Sequence, residues 1–241
     1  MGFTFKQFHI DDDLCAMKVG TDAIMLGSWV HKSDARNALD IGCGSGVLTL
    51  MVAQRCSNES HIIALDIDKN AVAQTQRNAL ASRWSASISV LHDSIIDFSS
   101  NTSERFDLIV SNPPFFDIPN RKTRAYHGLD ETRKRARTQQ TLTLAELSES
   151  VSKLLTDEGE FYCVLPIAQA DELTHLATQQ HLYLTRELQV SSRAGKPPIR
   201  KLLNFSHQYR PCQSASLVIH QTDGGYSDAY KRLCRNFYLN F

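Results

Sequence analysis

The chain has 241 residues, of which 42% are hydrophobic and 22% charged, and its formal net charge is zero. These values are typical of a globular protein with one sizeable core, and they exclude a disordered, fibrous or uniformly polybasic chain. The six cysteines show no zinc-binding spacing, and no apolar run reaches the ~18 residues of a membrane helix. We therefore expect a cytoplasmic protein with reduced thiols, without a metal ion and without a membrane segment. We also expect it to be a monomer.

The first predicted element is a helix over Ala23–Val30, which Thr21 or Asp22 is placed to cap. From Asn37 onwards, short apolar runs alternate with helical stretches, as in βα units around a parallel sheet. The strands predicted in this part are Ala38–Ile41, Ile62–Asp66, Ile88–Leu91, Leu108–Ser111 and Phe161–Leu165. The helices predicted between them are Val47–Gln54, Ala71–Ala81 and a stretch from Leu144 to Leu155. Three tail segments, Leu182–Val190, Leu202–Tyr209 and Ser216–His220, predict a sheet finished by an antiparallel edge pair.

A glycine-rich loop, Asp40-Ile41-Gly42-Cys43-Gly44-Ser45-Gly46, joins the first of these strands to the following helix. Glycines at such a place let the backbone turn sharply and approach a ligand closely. The pattern G-x-G-x-G after an acidic residue differs from the dinucleotide fingerprint G-x-G-x-x-G. It favours S-adenosylmethionine, whose α-ammonium Asp40 can attract directly or through a water, and leaves a bare nucleotide or NAD as the alternative.

Two further acidic residues follow the next two strands. Asp66 ends the second strand, about 20 residues after the glycines, where a carboxylate can accept both ribose hydroxyls. Asp93 follows the third strand and is placed to accept from an adenine amine, while the backbone N–H of Ser94 can reach a ring nitrogen. Each of these residues alone has a structural alternative, a turn or a helix cap, but their order at successive strand ends favours a cofactor site. The predicted cofactor contacts are Asp40, Gly42, Gly44, Gly46, Asp66, Ile67, Asp93, Ser94 and Asn112.

The fourth strand runs directly into Asn112-Pro113-Pro114-Phe115. The two prolines restrict the backbone, so the Asn112 side chain and the Pro113 carbonyl form a rigid pair of acceptors. A base amine is a poor nucleophile because its lone pair is shared with the ring, and two acceptors on its N–H bonds hold it in line with a sulfonium methyl. Phe115 can stack on a base that has left its own stack. We predict Asn112, Pro113, Pro114 and Phe115 as catalytic residues, with a plain turn as the alternative.

The segment Asp117–Gln140 is polar, basic and without periodicity. An insertion of this length in a compact domain is more often functional than accidental. With a second basic group around Pro197-Pro198, it predicts binding of RNA phosphates, and a solvated charged loop is the alternative. The predicted RNA-binding residues are Arg121, Lys122, Arg124, Arg133, Lys134, Arg135, Arg137, Lys196, Arg200 and Lys201.

The glycine loop, Asp66, Asp93 and the Asn-Pro-Pro-Phe motif together resemble the class I amino-methyltransferases. The resemblance implies a Rossmann-like α/β fold, with a seven-stranded, mostly parallel sheet, one antiparallel edge strand and helices on both faces. It also implies that the Asn-Pro-Pro-aromatic motif binds the amine to be methylated. Outside this core, the stretches Phe5–Phe8, Met17–Ala23, Ala136-Arg137 and Tyr226–Leu239 resemble the bacterial tRNA1(Val) adenine-N6-methyltransferases. In that family the region Lys18–Asp22 closes over the cofactor, which adds Lys18, Gly20 and Thr21 as expected contacts.

We therefore expect one domain made of a cofactor lid (1–36), a catalytic core (37–116), a basic substrate-binding insertion (117–140) and the C-terminal half of the sheet (141–241). The predicted activity is methylation of adenine N6 in tRNA, and the resemblance implies adenine 37 of tRNA1(Val). The same motif also fits guanine N2 of rRNA, adenine of DNA or a protein glutamine. A cofactor-binding RNA chaperone without turnover is an alternative from another class, and Asn112 and Phe115 argue against it.

Overall fold

A computed structural model of the chain describes residues 2–15, 17–57, 59–113 and 142–241. The strands in this part of the chain are β1 (Gly2–Thr4), β2 (His9–Asp11), β3 (Asn37–Ile41), β4 (His61–Asp66), β5 (Ile88–His92), β6 (Phe106–Ser111), β7 (Leu155–Leu165), β8 (Tyr183–Arg193), β9 (Pro198–Ser206) and β10 (Gln213–His220). The helices are α1 (Thr21–Trp29), α2 (Val47–Arg55), α3 (Lys69–Leu80), α4 (Ile95–Asn101), α5 (Leu144–Leu154), α6 (Ile167–Gln179) and α7 (Asp228–Cys234).

Eight of the described strands form one sheet in the order β10-β8-β9-β7-β6-β3-β4-β5, and β1 and β2 form a separate hairpin. Strands β3 to β7 pair in parallel, as the predicted βα units require. Their carboxyl ends therefore meet at one edge of the sheet. This is the edge at which an open α/β sheet binds its ligands.

The far side of the sheet differs from the prediction of seven strands with an antiparallel edge strand. The sheet has eight strands, and the reversed strand β9 lies between β7 and β8, while the edge strand β10 pairs in parallel with β8. Residues 207–212 carry the chain from β9 past β8 to its other side. The burial follows this order, because Leu202–Ser206 of β9 are all buried, as in a strand covered on both faces, whereas Gln213–Ser216 of β10 are exposed.

Helices cover both faces of the sheet, as predicted. One cluster of buried apolar side chains includes Met25 of α1 and Leu50 of α2, and a second includes Leu147 of α5 and Leu173 of α6. The two clusters lie on opposite faces because side chains alternate along each central strand. The predicted α/β class is thus confirmed. Within the described residues, every helix is too short or too polar to cross a membrane.

The start of α1 corrects the predicted cap. Gly20 is the N-cap residue, without a side-chain hydrogen bond, and Thr21 and Asp22 are the first two helical residues. Asp22 Oδ2 instead accepts a hydrogen bond from Arg200 Nε at 2.8 Å. A negative charge in the first turn also interacts favourably with the helix dipole. The prediction was wrong because a sequence shows polar residues near a helix start but not the distant side chain that binds them.

The two ends of the described chain pack against each other. The ring of Phe5 stacks on Phe8 at 4.5 Å, and the Phe5 backbone pairs with Tyr238. The N–H of Lys6 donates to the carbonyl of Phe237 at 2.9 Å. These contacts anchor the chain just before β2, from which it continues towards the ligand-binding edge of the sheet.

Helices α1 and α2 approach closely at Gly27. A Cβ added there would lie 2.6 Å from Met51 Sδ and 2.9 Å from Met51 Cβ. We expect Gly27→Ala to lower the free energy of unfolding by about 1–2 kcal/mol, because overpacking outweighs the roughly 1 kcal/mol helix preference of alanine. Urea denaturation measures the change.

The matched test is the same substitution in a Met51→Ala background, where the added methyl group has room. Gly27→Ala should cost less there than in the wild type. A Gly27→Ala protein that is more stable than the wild type would contradict the close contact.

Candidate active site

The glycine loop between β3 and α2 is held by backbone hydrogen bonds to β4. The N–H groups of Gly42 and Cys43 both donate to the Leu65 carbonyl, each at 2.9 Å. The φ angles of Gly42, Gly44 and Gly46 are 75°, 56° and 79°, which residues with a side chain rarely adopt. A Cβ added at Gly42 or Gly44 would meet no described atom within 4 Å. The loop therefore borders open space in which a ligand can approach the backbone.

Asp66, the last residue of β4, connects this loop to the neighbouring strand. Its Oδ2 accepts the N–H of Gly44 and its Oδ1 accepts the N–H of Asp68, both at 2.9 Å. Burial raises the pKa of Asp66, and these two N–H donors oppose the rise. Each carboxylate oxygen keeps a further lone pair for a ligand hydroxyl. The N–H of Asp93 donates to the Asp66 carbonyl at 3.2 Å, so the two acidic residues lie at adjacent strand ends.

Asp40 lies beneath the glycine loop and is 1% exposed. Thr49 Oγ1 of α2 donates to Asp40 Oδ2 at 2.6 Å, whereas Oδ1 has no hydrogen-bond partner among the residues described. Burial raises the pKa of Asp40 to about 7, although the hydrogen bond from Thr49 lowers it and the nearby Asp66 raises it further. A buried carboxyl oxygen without a donor is suited to accept a hydrogen bond from a ligand.

The residues after β5 match the prediction in part. The Ser94 N–H, which we expected to reach a base ring, instead donates to Asp93 Oδ1 at 2.8 Å. Ser94 Oγ is the N-cap of α4 and accepts the N–H of Asp97. Both bonds tie Ser94 to its neighbours at the start of α4, and its contact with the cofactor stays a prediction. The neighbouring Ile67 side chain is 51% exposed, which leaves an apolar surface beside Asp66.

Asn112 lies beside the glycine loop because of the register between β3 and β6. Ser111 pairs with Ile41, and Ser111 Oγ donates to the Ile41 carbonyl at 2.9 Å. Asn112 follows β6 and Gly42 follows β3, so both residues lie at the same edge of the sheet. Asn112 Oδ1 is buried and has no hydrogen-bond partner in the described part of the chain, and Pro113 is buried. The Asn112 amide thus carries an acceptor that no described residue satisfies.

The segment before α1 forms a strap, defined here as residues 11–15 and 17–20. Lys18 Nζ donates to the Asp12 carbonyl at 2.6 Å, and the N–H of Val19 donates to Asp12 Oδ2 at 3.3 Å. Burial, with the carboxylates of Asp66, Asp68 and Asp12, raises the pKa of Cys15 to about 11. Cys15 of the strap is therefore near enough to Asp66 to feel its charge. Thr21 is exposed at the start of α1.

The predicted basic group in the tail separates into exposed and paired residues. Lys196 is exposed in the turn between β8 and β9. Lys201 is 16% exposed and contacts Asp171 Oδ1 at 2.7 Å and Glu187 Oε2 at 2.8 Å. Two carboxylates already neutralise its charge, so Lys201 is corrected to a structural residue. Arg200 binds Asp22 and is part-buried.

Several predicted residues lie outside the described residues. They are Pro114 and Phe115 of the catalytic motif and the basic residues Arg121, Lys122, Arg124, Arg133, Lys134, Arg135 and Arg137. Where the chain is described, no group of three or more His, Cys, Asp or Glu residues is arranged to hold a metal ion.

Sequence reasoning missed the polar side chains that support the site. Thr49 binds Asp40, and Thr75 Oγ1 of α3 donates to the Gly44 carbonyl at 2.8 Å. Gln74 and Asn78 are buried on the same face of α3. One feature of the sequence could have revealed these residues. They are polar, they recur at helical spacing, and they lie on the helix face that the amphipathic pattern assigns to the interior.

Residues 15–136 of the chain match the family "Methyltransferase small domain". The solved structure of a protein described as a predicted O-methyltransferase from Agrobacterium tumefaciens is 17% identical, covers 90% of this chain and 96% of its own, and superposes with a TM-score of 0.65. The ribosomal protein L11 methylase of Lactobacillus delbrueckii subsp. bulgaricus is 17% identical, with 78% of each chain covered and a TM-score of 0.52. These two likenesses show the methyltransferase fold.

Full-length relatives are more similar in sequence. The tRNA1(Val) (adenine(37)-N6)-methyltransferase of Yersinia enterocolitica is 40% identical over 100% of this chain and 93% of its own length. The enzyme of the same name from Aeromonas hydrophila is 41% identical over 99% of this chain and 97% of its own. The chain therefore belongs to the small-domain methyltransferases and, within them, to the family of the tRNA1(Val) (adenine(37)-N6)-methyltransferases.

Proposed function

We propose that the protein transfers a methyl group from S-adenosylmethionine to N6 of adenine 37 in tRNA1(Val). One structural observation carries the proposal: Asn112 presents an amide oxygen without a described hydrogen-bond partner at the strand end next to the glycine loop. The names of the full-length relatives support the acceptor. We also propose that the protein is a cytoplasmic monomer with a single domain, divided into the four parts that the sequence predicts.

The residues at the strand ends fit S-adenosylmethionine better than a dinucleotide. Open space borders Gly42 and Gly44, and Asp40 Oδ1 is a buried acceptor without a described donor. A buried carboxyl next to the loop suits a ligand cation and is unfavourable for a pyrophosphate. We propose that Asp66 binds the ribose hydroxyls, that Asp93 and Ile67 contact the adenine, and that Asp40 faces the cationic end. The bound cofactor supplies an electrophilic methyl group on a sulfonium.

Asn112 is proposed to hold the acceptor amine. Its Oδ1 accepts one N–H of the base amine, and the Pro113 carbonyl is proposed to accept the other. These bonds orient the nitrogen and favour the loss of conjugation with the ring as the new bond forms. After transfer the nitrogen is positively charged and acidic, and its extra proton passes to solvent water. The Asn112 side chain does not ionise, so its proposed role is to position the amine and not to remove a proton.

Asn112→Ala should lower the rate of methyl transfer by about 10²–10³ while leaving cofactor affinity within a few-fold. The magnitude is that of removing one preorganised hydrogen-bonding group from an active site. Nucleoside mass spectrometry of tRNA from cells that lack the protein, complemented with each variant, measures N6-methyladenosine. The matched control is Asn37→Ala, an exposed asparagine at the opposite end of β3.

Product formation by Asn112→Ala at the wild-type rate would overturn the assignment of Asn112. Transfer of labelled methyl to rRNA, DNA or protein instead of tRNA would overturn the acceptor alone. Cofactor binding without transfer to any polymer would favour the RNA chaperone.

Asp40 predicts a pH dependence of cofactor binding. Its pKa of about 7 in the folded protein exceeds the usual pKa of an aspartate, so the protonated form favours the folded state at low pH, and this contribution is lost as the pH rises through about 7. A ligand cation favours the ionised form, so binding should release a proton, and affinity should increase from pH 6 to pH 8. Calorimetry of S-adenosylhomocysteine binding in buffers of different ionisation enthalpy measures both effects.

The control for this prediction is Asp40→Asn, which has no carboxyl to titrate. The ligand's own ionisation is the same in both proteins, so the difference between their pH profiles isolates Asp40. Equal pH slopes in the two proteins would contradict a titrating Asp40.

We propose that Lys196, Arg200 and the seven basic residues between 121 and 137 bind tRNA phosphates. Lys196→Ala should weaken tRNA binding and reduce the slope of log affinity against log salt by about 1.

Lys201→Ala should leave that slope unchanged and lower the free energy of unfolding by about 1.5–3 kcal/mol, because it leaves Glu187 without its ion pair. Filter binding at several salt concentrations and urea denaturation separate the two effects, and a reduced salt slope in Lys201→Ala would contradict this division.

A further inference from the structure

Three polar side chains on one face of α3 are buried near the glycine loop. Gln74, Thr75 and Asn78 are 1%, 1% and 4% exposed. Asn78 follows Gln74 by four residues and Thr75 by three, the spacings that bring side chains together on one side of a helix. A buried polar group is costly unless it is hydrogen-bonded, and each of these three bonds to a group outside its own helix. They are called the α3 clamp below.

Two members of the α3 clamp each contact one neighbour. Thr75 Oγ1 donates to the Gly44 carbonyl of the glycine loop at 2.8 Å. Gln74 Oε1 accepts the N–H of Leu14 in the strap at 3.1 Å. One contact fastens the loop and the other fastens the strap.

Asn78 contacts both neighbours at once. Its Oδ1 accepts the N–H of Asp11 at 3.1 Å, and its Nδ2 donates to the carbonyls of Asp11 at 2.7 Å and Ser45 at 2.8 Å. Only a carboxamide offers one acceptor and two donors in this compact arrangement. Asn78 is therefore the side chain through which the strap and the glycine loop are joined.

The connection continues along the strap. Asp12 follows Asp11 and accepts the N–H of Val19, and the Asp12 carbonyl accepts from Lys18 Nζ. Fixing Asp11 therefore also fixes Asp12, and with it the turn at Lys18 and Val19 that precedes α1. The strap and the loop share one hydrogen-bond network centred on Asn78.

We propose that Asn78 is a positioning residue that couples the strap to the glycine loop, so that cofactor binding at the loop and ordering of the strap stabilise each other. A ligand that orders the loop lowers the free energy still needed to order the strap, and the reverse holds by linkage. The inference rests on the cofactor site of the proposed function. It does not depend on which polymer accepts the methyl group.

The test uses S-adenosylhomocysteine as the probe and Asn78→Asp as the variant. Aspartate keeps the acceptor for the Asp11 N–H and loses both donated bonds. The dissociation constant should rise about tenfold, which corresponds to roughly 1.4 kcal/mol. In methyl transfer, KM for S-adenosylmethionine should rise by a similar factor, with kcat at saturation unchanged. Gln76→Ala, at an exposed position of the same helix, is the control and should stay within twofold of the wild type.

Hydrogen exchange supplies the readout that a purely structural residue would not change. In the wild type the probe should slow exchange of the amides of Gly44 and Leu14, one in the loop and one in the strap. In Asn78→Asp it should still slow exchange at Gly44 but no longer at Leu14. A folded Asn78→Asp protein with wild-type affinity, or with Leu14 still protected by the probe, overturns the coupling.

A second variant keeps the proposal open to refutation if Asn78→Asp does not fold. Gln74→Ala removes the hydrogen bond to the Leu14 N–H of the strap, and the coupling predicts that this loss weakens probe binding at the loop. Unchanged affinity in Gln74→Ala overturns the inference. A wild-type protein that binds the probe but methylates no RNA would instead refute the acceptor in the proposed function and leave the coupling intact.

Discussion

The site depends on how the chain leaves β3. The Leu65 carbonyl of β4 receives two N–H groups from the glycine loop, and Asp66 receives a third from Gly44. These bonds require left-handed backbone at Gly42 and Gly44, which glycine adopts without strain. Because the loop is fastened to β4 on one side and β3 is fastened to β6 through Ser111 on the other, three strand ends are held in fixed relation. Because Asn112 directly follows β6, these bonds also fix the position of its side-chain oxygen next to the glycine loop.

The features of the site that follow from local sequence and parallel topology were predictable. Glycines and acidic residues at successive strand ends must converge when the strands are parallel, so the sequence predicts that Asp66 and Asp93 lie at adjacent strand ends, where the structure has them. The strands β3 to β6 and the helix α3 were predicted to within a few residues, because their apolar periodicity is strong, whereas β7 begins at Leu155 rather than at Phe161. Short elements such as α4, with seven residues, and the β1–β2 hairpin carry too little periodicity to be recognised.

Features that depend on distant partners were not predictable. The position of β9 depends on which strand it pairs with, and an apolar pattern reports burial but not the neighbour. Asp22 was expected to cap α1, yet Arg200, 178 residues away in sequence, binds it. Lys201 was expected to bind RNA, but Asp171 and Glu187 pair with it. The α3 clamp was missed for the same reason, since buried polar residues have meaning only once their partners are known.

Two buried side-chain oxygens near the ligand-binding edge, Asp40 Oδ1 and Asn112 Oδ1, have no hydrogen-bond partner in the described residues. Each such atom costs about 1–3 kcal/mol relative to a satisfied one, so the two clusters of apolar side chains must offset that cost. A ligand that donates to these oxygens removes the cost only in the folded state, and therefore stabilises the fold as it binds. The same atoms that weaken the free protein are then the ones that make it selective for a ligand carrying donors and positive charge at this edge.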